Sequence, residues 1–406
     1  MGLNDDMIVN FSMQDRENQE NYINLQPIQR GGVLPPESKK ILLSYGDGYS
    51  LCDFCFSGRL DEIEKPSVSS FLQEFAKFID MDVAMPTGAC REAKRVILQQ
   101  LTSKTPVGKE PVLIIDGLAH YSTFLAAENA GVSLMEVPHS GHPTFKLEVE
   151  KYGELIDSVL DDSKKHLVAA FLTHVDYLYG NLTPPSEVGK ICRKKGVPFI
   201  VNGAYTVGIL PFSGKKCNAD FVTASGHKSM ASSGPIGILA CSDEYKDLMF
   251  PTSTIKGPWS GRSFGRKIKT LLGCPSVYGA PLATLMSSFP HVVERTRPEN
   301  WKKELENARR LSSTLECIEG VNMLGIKPHE HTLMQFETPA FQEVAKFAPK
   351  KGYFLHNELK SRGIVGIFAG MVKSMKLNTF GLTSEQVDHV GNSFLEIAKK
   401  YNINVQ

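Results

Sequence analysis

Short apolar runs alternate with amphipathic segments from residue 111 to residue 241, and few folds accommodate that order. Residues 111–116 (PVLIID) read as a buried strand, followed by a helix through Leu125 and Ala130. Further strands are predicted at 133–137, 167–173, 197–202 and 221–224, with helices at 152–160 and 186–195 between them. Residues 236–241 predict an antiparallel neighbour of the last strand. Such alternation specifies an α/β fold with a mostly parallel sheet covered on both faces. After about residue 290 the texture changes. A charged helix at 298–315 leads to a strand at 332–337, a helix at 353–362, a strand at 375–379 and a capped helix at 384–401. The chain is therefore divided into an N-terminal arm with a CxxC (1–59), a large domain (60–290) and a small α+β domain (291–406).

Composition narrows the class. The 406 residues are 42% hydrophobic and 22% charged, the balance of a globular enzyme. Lys plus Arg number 45 against 44 for Asp plus Glu, which argues against an overall basic nucleic-acid coat. No apolar run reaches the length of a membrane span. Residues 1–20 are polar and acidic, without a signal-peptide core. Eight cysteines in a chain of this length predict a reducing cytoplasm.

Ligands in such sheets bind beyond the C-terminal ends of the strands. Asp116, His120, Asn202 and Lys228 all fall at or just past such ends. Lys228 is the most telling, in Ser225-Gly226-His227-Lys228-Ser229 directly after a strand. Burial disfavours the ammonium form, and a neutral amine can form a Schiff base with pyridoxal phosphate (PLP). Thr87-Gly88-Ala89-Cys90-Arg91-Glu92 opens a helix, so free amides at Cys90 and the Arg91 guanidinium suit the cofactor phosphate. His120 is positioned to stack on a flat ring. Asn202 offers the ring nitrogen a hydrogen bond in place of a charge. Asn181, in Gly180-Asn181-Leu182, is open to two readings: a contact to the cofactor's phenolic oxygen, or plain turn chemistry.

The cysteines form a second theme. Cys52-Asp53-Phe54-Cys55 is a CxxC, and Cys274 sits in the turn Gly273-Cys274-Pro275. No second CxxC or HxxxH completes a zinc site, so no metal is expected and a redox pair or sulfur carrier fits better. An iron–sulfur cluster on three thiolates is the lesser alternative.

Taken as a set, SGHKSM, VNGAYTVG, YSLCDFCFSGRLDEI, LTHVDYLYGNL and LLGCPSVYGAPLATLMSSFPHV resemble the archaeal O-phosphoseryl-tRNA:cysteinyl-tRNA synthase family, from about residue 22 onward. The resemblance implies the fold-type I architecture of PLP-dependent transferases: a mostly parallel, seven-stranded large-domain sheet and a smaller α+β C-terminal domain. It implies a cytoplasmic homodimer that makes cysteinyl-tRNA(Cys) from phosphoseryl-tRNA(Cys), with a sulfur donor and a phosphoseryl-tRNA ligase as partners. It assigns covalent PLP to Lys228. Cys90, Arg91, Asn202, Ser225, Gly226 and His227 become cofactor contacts, and Cys52, Cys55 and Cys274 the sulfur-handling cysteines. Cys90 is an insertion relative to the family's Gly-Ala-Arg-Glu-Ala-Lys, and the stretch 256–269 is longer than usual. Residues 375–379 (MKLNT) lack the arginine that holds a free amino acid's carboxylate, as suits a substrate esterified to tRNA. The rivals are a cysteine desulfurase or selenocysteine lyase acting on a free amino acid, and a non-catalytic tRNA-binding scaffold. The stretch GRSFGRKIK (261–269) is a candidate contact for the tRNA backbone.

Overall fold

The computed structural model describes residues 21–52, 56, 63–263, 265 and 276–406. Two short strands come first, β1 (Ile23–Asn24) and β2 (Ser50–Cys52). Then β3 (Val83–Thr87), β4 (Glu110–Asp116), β5 (Ser133–Val137), β6 (Lys165–Thr173), β7 (Phe199–Asn202), β8 (Phe221–Ser225) and β9 (Gly237–Cys241) form one sheet in the order β3-β9-β8-β7-β6-β4-β5. Only β9 runs against the others in this sheet, as the sequence predicts. β6 is buried continuously over 167–173, so both of its faces are covered. Phe171, Phe199 and Phe221 are fully buried. Each ring removed from water contributes about 1.5–3 kcal/mol. Val197 and Pro198 fall before β7. Pro198 has no N–H for a ladder and only accepts, from Ala170 N at 2.9 Å.

The Cys90–Thr102 and Tyr121–Ala130 helices cover one face of the sheet. The Val68–Phe78, Lys151–Leu160 and Pro185–Lys195 helices cover the other. The small domain is an antiparallel sheet of β11 (Asn322–Leu324), β12 (Leu333–Glu337) and β14 (Ser374–Asn378), backed by the Pro298–Glu316 and Ser384–Lys400 helices. Thr383 caps the last helix reciprocally with Gln386, the predicted capping box.

The N-terminal arm is shared between the two domains. β1 pairs in parallel with β13 (Ile364–Val365), and Leu25 lies fully buried in the small-domain core. β2 pairs instead with β10 (Ser276–Tyr278), which sets Cys52 opposite Ser276. The Gly279–Arg295 helix runs through residue 290 in spite of Pro290, so a boundary at 290 falls inside an element. Burial of Leu282, Leu285 and Val292 along that helix outweighs the hydrogen bond the proline forgoes.

Candidate active site

The C-terminal ends of the parallel strands open onto a cavity of about 530 Å³. Cys90, Arg91 and Lys94 line it from one helix, and His120, Tyr121 and Ser122 from the start of the next. Thr173 ends β6 and Val175 and Tyr177 follow it, while Asn202 ends β7 and Ala204 and Tyr205 follow it. Ser225 ends β8, and His227 and Lys228 follow it.

Lys228 is held from behind by backbone. A Cβ on Gly31 would stand 2.3 Å from the Lys228 carbonyl oxygen, so only glycine allows the N-terminal segment this close. The half-buried Arg295 guanidinium donates to Ser229 O, and to Gly208 O at 2.8 Å and Gly31 O at 3.2 Å. Burial lowers the Lys228 pKa first of all, and the Arg91 charge adds to that while Cys90 opposes it. Its Nζ stands 5.1 Å from the centre of the Tyr205 ring.

His120 is the N-cap of its helix: Nδ1 accepts from Ser122 N at 3.2 Å, which leaves the proton of the neutral ring on Nε2. Burial, then the charges of Lys228, Lys94, Arg91 and Lys376, push its pKa down to about 4. The ring touches Tyr121 and Tyr177, with centroids 4.2 and 4.7 Å away. Asn202 Oδ1 accepts from Ala204 N at 3.3 Å and faces Thr223 Oγ1 at 3.5 Å and Cys90 Sγ at 3.6 Å. A backbone N–H can only donate, so the side-chain oxygen is turned to Ala204 and the amide nitrogen is left as a donor. Arg91 Nη2 donates to Tyr121 OH at 2.8 Å. Gly226 admits Ile236, whose Cγ2 would lie 2.4 Å from a Cβ.

Two of the sequence-derived residues are engaged elsewhere. Asn181 gives both amide protons to Thr144 O and Phe145 O, at 3.0 and 3.1 Å, and accepts from Ile326 N at 2.7 Å. Its turn is closed by the buried Asp176, which accepts from Leu178, Tyr179 and Asn181 amides. Of its two readings the structural one fits this geometry, because no amide hydrogen remains for a ligand. Asp116 accepts from Thr173 N at 2.7 Å and ties β4 to β6. Cys52 lies on β2 and is not among the residues that line the cavity within one chain. Cys55, Cys274 and residues 266–269 lie outside the described residues. No three His, Cys, Asp or Glu side chains among the described residues gather to hold a metal.

Lys94 is the residue the sequence reading passed over. It is 2% exposed, with Nζ donating to Ser122 Oγ at 2.6 Å and Thr123 Oγ1 at 3.2 Å. Burial pulls its pKa down to about 8. Its signal was available: Cys90, Lys94, Ile97 and Leu101 fall on one helical face, and a lysine at a core position demands a reason. Lys376 from β14 also reaches the site, its Nζ donating to Tyr177 O at 2.6 Å.

The residues fit PLP. The Cys90 and Arg91 amides, at the start of their helix, have no intrahelical acceptor and can bind phosphate. Gly237 keeps that start in place, since a Cβ there would meet Ala89 C at 2.4 Å and Cys90 N at 2.5 Å. His227 Nδ1 is buried without a hydrogen-bond partner among the described residues.

This architecture is fold-type I, the fold of PLP-dependent transferases. A cysteine desulfurase from Thermococcus onnurineus NA1 superimposes with a TM-score of 0.70 over 96% of this chain and 99% of that one, at 17% identity. A chain of the SepCysS–SepCysE N-terminal domain complex superimposes with a TM-score of 0.85 at 42% identity, over 98% of this chain and 100% of that one. The O-phospho-L-seryl-tRNA:Cys-tRNA synthase 2 of Archaeoglobus fulgidus is 47% identical, over 95% of this chain and 96% of its own. The family model described as O-phosphoseryl-tRNA(Sec) selenium transferase, SepSecS, matches residues 96–403. The chain belongs to this family, as a relative of its O-phospho-L-seryl-tRNA:Cys-tRNA synthases.

Proposed function

We propose that the chain converts O-phosphoseryl-tRNA(Cys) to cysteinyl-tRNA(Cys) with PLP bound at Lys228, as a cytoplasmic homodimer. The observation that carries this reading is the cleft itself, where a desolvated Lys228 faces unpaired helix amides, Arg91 and the neutral His120. Bound there, PLP supplies an electron sink that stabilises negative charge at Cα and lets a β-substituent leave.

The chain's own groups supply the rest. The lowered pKa of Lys228 keeps Nζ available as the amine that holds the cofactor and as the base that takes the Cα proton. The amides of Cys90 and Arg91 bind the cofactor phosphate, with Lys94 behind them as a buried positive charge. The Asn202 amide nitrogen would donate to the ring nitrogen, and His120 and Tyr205, which line the same cavity, would help hold the ring. Arg91 and Lys376 bring positive charge to the cleft rim, where a phosphoserine phosphate enters and departs. Lys376 replaces the forked arginine of free amino-acid enzymes, and a single ammonium suits a substrate with no free carboxylate.

Sulfur comes from Cys52, Cys55 and Cys274. The β2–β10 ladder sets Cys52 opposite Ser276, two residues along the sequence from Cys274. One cysteine carries a persulfide from the sulfur donor. Its outer sulfur adds to Cβ. A second cysteine thiolate then attacks the inner sulfur, and the S–S bond breaks with its electron pair leaving on the product's sulfur. The disulfide formed between the two cysteines is reduced by an external thiol. Release of inorganic phosphate from phosphoseryl-tRNA(Cys), with none from free phosphoserine and no sulfide from free cysteine, is the expected result. Sulfide release from free cysteine alone would make the protein a desulfurase instead.

A further inference from the structure

The segment between the large sheet and the Gly279–Arg295 helix has an unusual charge pattern. From Leu248 to Val293 the sequence holds five basic residues, Lys256, Arg262, Arg266, Lys267 and Lys269, and no Asp or Glu. The chain as a whole balances 45 basic residues against 44 acidic ones, so this asymmetry is local. Within it, Lys256 and Ser263 form an antiparallel bridge, Gly257 N donates to Arg262 O at 2.8 Å, and Gly261 N donates to Gly257 O at 2.9 Å. These bonds close a small hairpin with Lys256 and Arg262 at its neck. Gly261 takes φ +64°, which lets the tip turn back.

At the tip stands Trp259, 97% exposed. Ile255 beside the neck is 65% exposed. The chain's other tryptophan, Trp301, packs against His331 at 5.7 Å between ring centroids, on a small apolar cluster. A large indole in water, flanked by cations and remote from any carboxylate in sequence, suits a polyanion with accessible aromatic faces. Single-stranded nucleic acid is such a partner: aromatic side chains stack its bases while Lys and Arg follow its phosphates. The far end of the segment leads to the site. Its β10 runs into the Gly279–Arg295 helix, whose first turn is tied to the loop after Lys228. Ser232 Oγ donates there to Pro281 O at 2.9 Å, and Ser233 N to Thr284 Oγ1 at 3.0 Å.

We propose that this hairpin is the RNA clamp of the enzyme: Trp259 stacks on an unpaired base of the tRNA substrate, and Lys256 and Arg262 contact its phosphates. The inference rests on the tRNA-dependent function proposed above and adds the element that grips the RNA. Binding of deacylated tRNA(Cys) to the PLP-loaded protein tests it. Trp259→Ala is expected to weaken binding by roughly 5- to 150-fold, with Trp259→Phe recovering part of the loss. Because Trp259 is exposed, an unchanged cofactor absorbance band in W259A will show the fold intact. Replacing Lys256 and Arg262 together by Gln should reduce the slope of log affinity against log salt by about 1.4. In W301F, leaving Trp259 as the single tryptophan, added tRNA should quench the emission. Equal affinity of W259A and the parent overturns the proposal, as does absence of quenching. Loss of a dimer in W259A with unaltered tRNA affinity also overturns it, and assigns the indole to a contact between two copies. A parent protein that neither binds tRNA nor releases phosphate from phosphoseryl-tRNA refutes the functional reading itself, a result distinct from those of the variants.

Discussion

The cleft and the Trp259 hairpin are both basic, yet their charges obey different physics. In the cleft, Lys94 is buried and Lys228 half-buried, and burial lowers the pKa of each. On the hairpin, Lys256 stands in solvent beside an indole that is 97% exposed. A dry cation has a fixed position and fixed partners, so it orients one small phosphate and is little screened by salt. A solvated cation attracts a long polyanion, and releasing that polymer's counterions makes the binding steeply dependent on salt. The molecule thus separates the precise task from the adhesive one by hydration rather than by residue type.

The largest effect that would break this contrast is at Lys228. Lys228→Ala should abolish the cofactor's absorbance band and lower phosphate release by about 10²–10⁴-fold or more, while tRNA binding persists. Retained activity would remove the dry amine from the chemistry.

Next comes Lys94. Lys94→Met should weaken PLP binding about 10- to 100-fold, the worth of a charged hydrogen-bonding group near phosphate. Its pKa lies at about 8, below the 10.5 of an exposed lysine. The charge is present below pH 8 and lost above it, so PLP affinity of the parent should fall as pH rises through 8, and that component should vanish in the variant. Titration of the apoprotein with PLP at several pH values measures both. Raising salt from 50 to 200 mM sharpens the comparison further: tRNA affinity should drop by an order of magnitude or more, and PLP affinity should change far less.

The smallest expected effect concerns Asp116, whose pKa burial raises to about 7 from 3.8. Between about pH 4 and 7 the folded chain holds a proton there that the unfolded chain has lost. The stability this group contributes therefore declines as pH rises across that window. Asp116→Asn keeps an acceptor for Thr173 N and should flatten that part of the pH–stability curve, read by denaturant unfolding.

Much of the architecture was legible because hydrophobic periodicity reports burial directly. The strands at 133–137 and 221–224, the antiparallel β9 and the capping box at Thr383 follow from local pattern alone. Asn181 was ambiguous for a physical reason. A turn asparagine and a ligand-binding asparagine carry the same group, and only its partners, Thr144 O, Phe145 O and Ile326 N, tell them apart. Lys94 was visible in principle, as a charge on an apolar helical face, but its two hydroxyl partners come from the next helix.

The amino-acid order by itself determined the parallel α/β sheet, the placement of Lys228 beyond a strand end and the acid-free stretch before the Gly279–Arg295 helix, because each depends on neighbours along the chain. Tertiary structure alone decided which cations are dry and which are wet. It decided that Leu25 joins the small-domain core, that Gly31 presses on the Lys228 carbonyl and that Asn202 turns its oxygen to the Ala204 amide. Those outcomes depend on groups far apart in sequence competing for the same space and the same hydrogen bonds, and no local pattern encodes the result of that competition.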